Sequence, residues 1–206
     1  SKFVVEADDR SDNNILIIDF KEGKLRIRLY TTSGSLNKLS RTYSVTVPTS
    51  MTKKWTHFAI NIDIDSVVTI PQVFIDSVET KSITSTGVGT GGLQAIAGRL
   101  ALMGNDDLNT NELQGSLQDF AFFNKALSQN EVNEIYDAQD LLTTSLESSI
   151  IDFWRLGDVN VSLGDQVPFG TKIYAAKGAT TLLVQENVFT AQGRGKVPRN
   201  DNFFVQ

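Results

Sequence analysis

Between residues 24 and 30 charged and aliphatic side chains alternate, and the run ends on a tyrosine: Lys24-Leu25-Arg26-Ile27-Arg28-Leu29-Tyr30. A period of two puts Leu25, Ile27 and Leu29 on one face of an extended strand and Lys24, Arg26 and Arg28 on the other. A helix cannot sort these residues, because its apolar stripe returns every 3.6 residues. The run Ile15-Leu16-Ile17-Ile18 precedes it across the turn residues Lys21-Glu22-Gly23, so the two read as an antiparallel hairpin.

The rest of the chain follows this β pattern. Val, Ile and Thr, at 17, 15 and 19 residues, make up a quarter of the 206 and favour strands over helices. Tyr43, Val45 and Val47 alternate in a further strand that Pro48 stops. Trp55 to Ile64 is the longest strand expected, with Phe58, Ile60, Ile62 and Ile64 on one face and Trp55, His57, Ala59, Asn61 and Asp63 on the other. Gln72-Val73-Phe74-Ile75 and Val78-Glu79-Thr80 flank Asp76-Ser77, a tight-turn signal. Residues 84–98, opening on Thr-Ser-Thr-Gly-Val-Gly, read as a loop. Strands resume at 100–103 and 117–123.

One helix is well signalled. Ser128 and Glu131 form a capping box, and Leu127 and Val132 stand where a hydrophobic staple would close. Val132, Ile135 and Tyr136 then give an apolar stripe, which predicts a helix over 129–139. Short strands follow at 150–156, 172–174 and 181–184, and residues 192–202 read as an arm. About ten strands and one short helix predict an all-β, antiparallel two-sheet jelly-roll sandwich. Residues 1–157 are expected to form that sandwich without its first strands, and 158–206 a C-terminal extension or arm with short strands.

Charge and composition exclude several classes of function. Nineteen Lys and Arg against 24 Asp and Glu leave a net charge of −5, which opposes nucleic acid as the main partner. With no cysteine, thiol catalysis, disulfides and Cys-ligated metals are out. A single histidine, His57, removes multi-imidazole metal sites. No apolar run approaches the roughly 20 residues that cross a bilayer, so membrane insertion is not expected. The start at Ser1, running at once into Phe3-Val4-Val5, reads as a processed product or a piece of something longer.

Two stretches resemble a known superfamily. Trp55-Thr56-His57-Phe58-Ala59, with Val73-Phe74-Ile75-Asp76-Ser77-Val78-Glu79, is similar to a "W-x-H-h-A" strand and a "V-Y-I-D-G-V" hairpin, with Ser77 where glycine is usual. Leu113-Gln114-Gly115-Ser116-Leu117-Gln118-Asp119-Phe120 leads into Phe122-Phe123-Asn124-Lys125-Ala126-Leu127-Ser128 and then Glu131-Val132 and Ile135-Tyr136. This resembles the closing pattern of the laminin-G-like, concanavalin A-like lectin-glucanase jelly rolls. Together the motifs span about residues 55–139. The family's acidic opening pattern is echoed only in Ala7-Asp8-Asp9, which implies either that its first strands lie upstream or that the N-terminus is cut. Phe153-Trp154-Arg155-Leu156-Gly157-Asp158 resembles a segment that follows such domains in phage and marine-bacterial surface proteins.

The resemblance implies candidate chemistry. Glucanases of this fold need two carboxylates about 5 Å apart for retaining hydrolysis. The nearest look-alike here is Asn61-Ile62-Asp63-Ile64-Asp65, and an amide at Asn61 cannot replace a carboxylate nucleophile. No catalytic residue and no organic cofactor is expected. Calcium is the one metal considered. Asn105, Asp106, Asp107 and Asn109 form an oxygen-rich loop of the type that ion takes, against a plain solvated turn. Lys24, Arg26 and Arg28 read either as a solvated or edge-guarding face, or as a contact for an acidic protein or anionic polysaccharide. Arg194, Lys196 and Arg199 on the C-terminal arm are expected to dock on a neighbouring subunit. Trp55 and Trp154 are expected in the core, and His57 packed or hydrogen-bonded.

These readings favour a non-enzymatic structural or adhesion module of a virion (capsid decoration, fibre or tail). It would be oligomeric, held by neighbouring virion or surface-protein subunits, and able to touch host glycan. The alternative is a secreted bacterial carbohydrate-binding module, calcium-dependent in one version; a glycoside hydrolase is the distant third.

Overall fold

The computed structural model describes residues 2–8, 15–31, 39–49, 54–89, 92, 99–102, 117–138, 140–156, 172–179, 181–183 and 204–205. By its contacts the chain divides into two compact units, one of residues 1–54, 59–115 and 206, the other of 55–58 and 116–205. The boundary expected at 157 lies outside the described residues.

Among the described residues the first unit holds nine strands: β1 (Lys2–Asp8), β2 (Ile15–Lys21), β3 (Lys24–Thr31), β4 (Leu39–Thr46), β5 (Phe58–Asn61, its first residue belonging to the second unit), β6 (Gln72–Ile75), β7 (Val78–Thr80), β8 (Ile83–Val88) and β9 (Arg99–Leu102). Six form an antiparallel sheet in the order β8-β4-β3-β2-β1-β9, and β5-β6-β7 form a second sheet.

The expected hairpin is β2–β3. Its turn is Glu22-Gly23, with φ of 53° and 72°, and Lys21 pairs with Lys24. Two left-handed residues give the turn twist that matches the strands. Asp76 and Ser77 repeat this between β6 and β7, with φ of 47° and 63°, so serine holds a conformation that normally favours glycine.

Alternation decides the core. Leu25, Ile27 and Leu29 are buried, as are Tyr43 and Val45 beside them on β4. Val67, Val73 and Phe74 are buried in the same unit. The Tyr43 hydroxyl donates to the Val67 carbonyl, tying the large sheet to the segment between β5 and β6. Burial pushes this phenol's pKa up, against the opposing pull of Arg41 and Ser85.

Three expectations are corrected. The long strand at 55–64 is only β5, because Asp63 turns the chain: its Oδ1 accepts from the backbone N–H of Asp65 and Ser66, both at 3.0 Å. Part of the loop expected at 84–98 is β8, paired with β4 from Val45↔Ile83 to Ser40↔Val88. An edge strand needs no apolar alternation, so its Thr and Ser residues looked like loop. The strand at 117–123 is broken at Asp119, whose φ is 50°.

The second unit holds β10 (Leu117–Gln118), β11 (Phe120–Phe123), helix α1 (Gln129–Asp137), β12 (Ile150–Trp154), β13 (Lys172–Tyr174), β14 (Thr181–Leu183) and β15 (Phe204–Val205). All its strand pairs are antiparallel: β10 with β15, β11 with β12, β13 with β14. Trp154 is buried, its ring stacked on Phe120 at 6.0 Å and meeting Phe122 edge-on at 6.2 Å. Beyond β12 the chain returns to it: Phe153 bridges to Lys177, and Asp152 Oδ1 accepts from the Ala179 N–H. Glycine is required at 178, where φ is +100° and a Cβ would lie 2.6 Å from the Ile151 carbonyl oxygen.

Helix α1 starts as its sequence predicts and ends two residues early. Ser128 and Glu131 close the capping box reciprocally, and Leu127 and Val132 are both buried. Bonds from Lys125 and from Ser128 hold the Glu131 carboxyl down at about 2. A depressed folded pKa stabilises the fold above the ordinary glutamate value, and the contribution is lost as pH falls through about 2. Thermal melts should therefore show Glu131→Gln less stable than wild type at neutral pH, with the gap closing under strong acid. A gap that stays constant with pH would show that the carboxylate charge is not what caps the helix.

Candidate functional site

The face of β3 opposite the core carries the chain's basic stripe. The hairpin register places Asp19 directly opposite Arg26 and Ile17 opposite Arg28, with Ser44 and Thr42 next across the sheet on β4. Thr84 and Thr86 of β8 continue the two rows. The result is a face of hydroxyl and guanidinium groups that is buried at Ile17 and Asp19, half-buried from Arg26 and Arg28 to Thr42 and Ser44, and exposed at Thr84 and Thr86.

Asp19 organises it. Its carboxylate is fully buried and binds both arginines. Arg26 presents Nε to Oδ1 at 2.6 Å and Nη2 to Oδ2 at 2.8 Å, a two-pronged fork. Arg28 Nη2 reaches Oδ2 at 2.5 Å. The guanidinium side chains are 18% and 22% exposed, so each is largely covered but reaches solvent.

This revises the edge-guarding reading of the stripe. β3 lies inside the sheet, and two of its three cations hold a buried carboxylate of the neighbouring strand. Lys24 is exposed at the hairpin end. Asp19 was missed in the sequence, where it follows the apolar run 15–18. Counting outward from a two-residue turn at Glu22-Gly23 would have set it against Arg26.

The other candidates separate. Asn61 Nδ2 donates to Gln72 Oε1 at 3.0 Å. Asp63 accepts from two backbone N–H groups on Oδ1, and from Thr69 Oγ1 at 3.2 Å on Oδ2, so it serves the turn. His57 is buried, its ring 5.6 Å from that of Tyr136. Trp154 is core, whereas Trp55 is half-buried. Asn105, Asp106, Asp107 and Asn109, and also Arg194, Lys196 and Arg199, lie outside the described residues. Among the described residues no three His, Asp or Glu gather as a metal would need, and no helix is long and apolar enough to cross a membrane.

Removing Asp19 leaves two neighbouring guanidiniums without their shared counter-charge. Asp19→Ala should cost about 3 kcal/mol in urea unfolding, the low end for breaking a buried pair because both arginines reach solvent. Adding Arg26→Met and Arg28→Met should recover most of that loss. A single variant as stable as wild type would show that the cluster does not hold the hairpin.

A family model described as the concanavalin A-like lectin/glucanases superfamily matches residues 1–133. The match takes in the six-stranded sheet, the second sheet and the first half of α1. Searches of the curated proteins and of the solved structures returned no match. Antiparallel sheets, one short helix and a family match over more than half the chain agree: this chain belongs to a laminin-G-like family of the concanavalin A-like lectin/glucanase superfamily.

Proposed function

We propose that this chain is a non-catalytic adhesion or carbohydrate-binding module, displayed on the outside of a virion or cell, that works by surface contact. The use made of its carboxylates carries the reading. The nearest look-alike of a glucanase catalytic strand has an amide at Asn61, and the Asp63 carboxylate is committed to three hydrogen bonds within its own turn. A retaining mechanism needs one carboxylate free to attack and another to carry a proton. The polar sheet face of Arg26, Arg28, Thr42, Ser44, Thr84 and Thr86 supplies donors and acceptors of the kind that hydroxyl-rich ligands use.

Display on a virion, among neighbouring subunits, is supported by the resemblance at residues 153–158 to segments of phage and bacterial surface proteins. The absence of cysteine fits a part assembled in a reducing cytoplasm before it acts outside.

The purified chain should bind oligosaccharides on a glycan array and release no reducing sugar from a panel of β-glucans. Turnover of any glucan would overturn the non-catalytic reading, and a silent array would overturn carbohydrate binding. Mass spectrometry of purified particles tests the location, since absence of the chain from every particle would remove the virion placement.

A further inference from the structure

Arg41 departs from the alternation that sorts the larger sheet. The register sets it across from Leu29 on β3 and Gly87 on β8, and along β4 it shares a face with Tyr43 and Val45. That is the face that carries Leu25, Ile27 and Leu29 into the core. On β2, β3, β4 and β8 it is the one charged residue so placed. A charge drawn out of water is normally matched by an opposite charge, as Asp19 matches Arg26 and Arg28 on the other face. Among the described residues Arg41 instead meets a neutral acceptor, the Gly89 carbonyl. Its charge still acts on its surroundings, since it opposes the burial that raises the Tyr43 phenol.

The guanidinium is fixed in place. Nε and Nη2 donate to that one carbonyl oxygen at 3.2 and 3.0 Å, which uses one edge of the planar fork. The remaining N–H groups, on Nη1 and Nη2, line the other edge, where a carboxylate is held by two parallel bonds. Arg41 is half-buried, so it is neither sealed in the core nor fully hydrated. The chain around Gly89 is itself closely packed. At Gly87 (φ +123°) a Cβ would lie 1.9 Å from the Ser40 carbonyl oxygen, and at Gly92 one would lie 2.7 Å from the Asp65 carbonyl oxygen. Only glycine permits either approach. A donor held this way pays little ordering entropy when a ligand arrives.

We propose that Arg41 is a binding residue for the carboxylate of a sugar acid, taken in a bidentate pair. The sugar part rests on the carbohydrate-binding reading above; the acid part rests on the unmatched fork. A guanidinium fits a carboxylate by geometry as well as by charge. A single fixed cation in a chain of net charge −5 suits a ligand with one carboxylate, and opposes a densely sulfated chain, which needs several cations at once.

NMR titration of the whole chain with glucuronate, glucose and acetate tests this. Glucuronate should shift the Arg41 Nε–H resonance and the amides of residues 87–89. Glucose and acetate should each bind about tenfold more weakly, the worth of one charge-assisted contact. Arg41→Lys, which keeps the charge and loses the fork, should weaken glucuronate by about as much while amide shifts far from β4 and β8 stay as in wild type. The ligand series on the wild type needs no variant. Equal binding of glucose would overturn the acid assignment and leave carbohydrate binding standing. Equal binding of acetate would overturn the sugar assignment. No shift at residues 41 and 87–89, or full affinity in Arg41→Lys, would overturn the site.

Discussion

The register between β2 and β3 is the constraint on which the larger sheet depends. Two left-handed residues, Glu22 and Gly23, close the turn and fix Lys21 against Lys24. Every later pair follows by counting. On one face this gathers Leu25, Ile27 and Leu29 with Tyr43 and Val45 into the core. On the other it delivers Asp19 to Arg26 and Arg28. A slip of one residue would turn the arginines into the core and the leucines outward, so hydrophobic burial and ion pairing select the same register.

Charge in this protein serves the architecture. Asp19 neutralises part of the basic stripe, Asp63 closes a turn, Glu131 caps the helix, and Asp140 both caps the 3-10 turn at Leu141–Thr143 and pairs with Arg155. Of the face around Arg26 and Arg28, what stays exposed among the described residues is its outer row of hydroxyls, Thr84 and Thr86 on β8.

Local chemistry was the legible part of the sequence. The helix start at Ser128, the β2–β3 hairpin and the Asp76-Ser77 turn each depend on residues within a few positions of one another, and each formed. The readings that differed involve partners distant in sequence. β8 became a strand because β4, some forty residues earlier, lies beside it, while its own Thr, Ser and Gly residues carry no periodic signal. The 55–64 strand was cut short because Asp63 found backbone donors ahead of it, which apolar alternation does not reveal. The basic stripe was visible in the sequence, but not the buried carboxylate that binds it.

The sequence by itself determined the class of fold, antiparallel β with one capped helix, and excluded thiol chemistry. Those follow from periodicity and composition, which act through each residue's own geometry. Only the tertiary structure decided which charges remain available to a partner and which strand closes the sheet. Both depend on what stands across a gap in space, and burial and pairing across that gap are set by the whole register of the sheet.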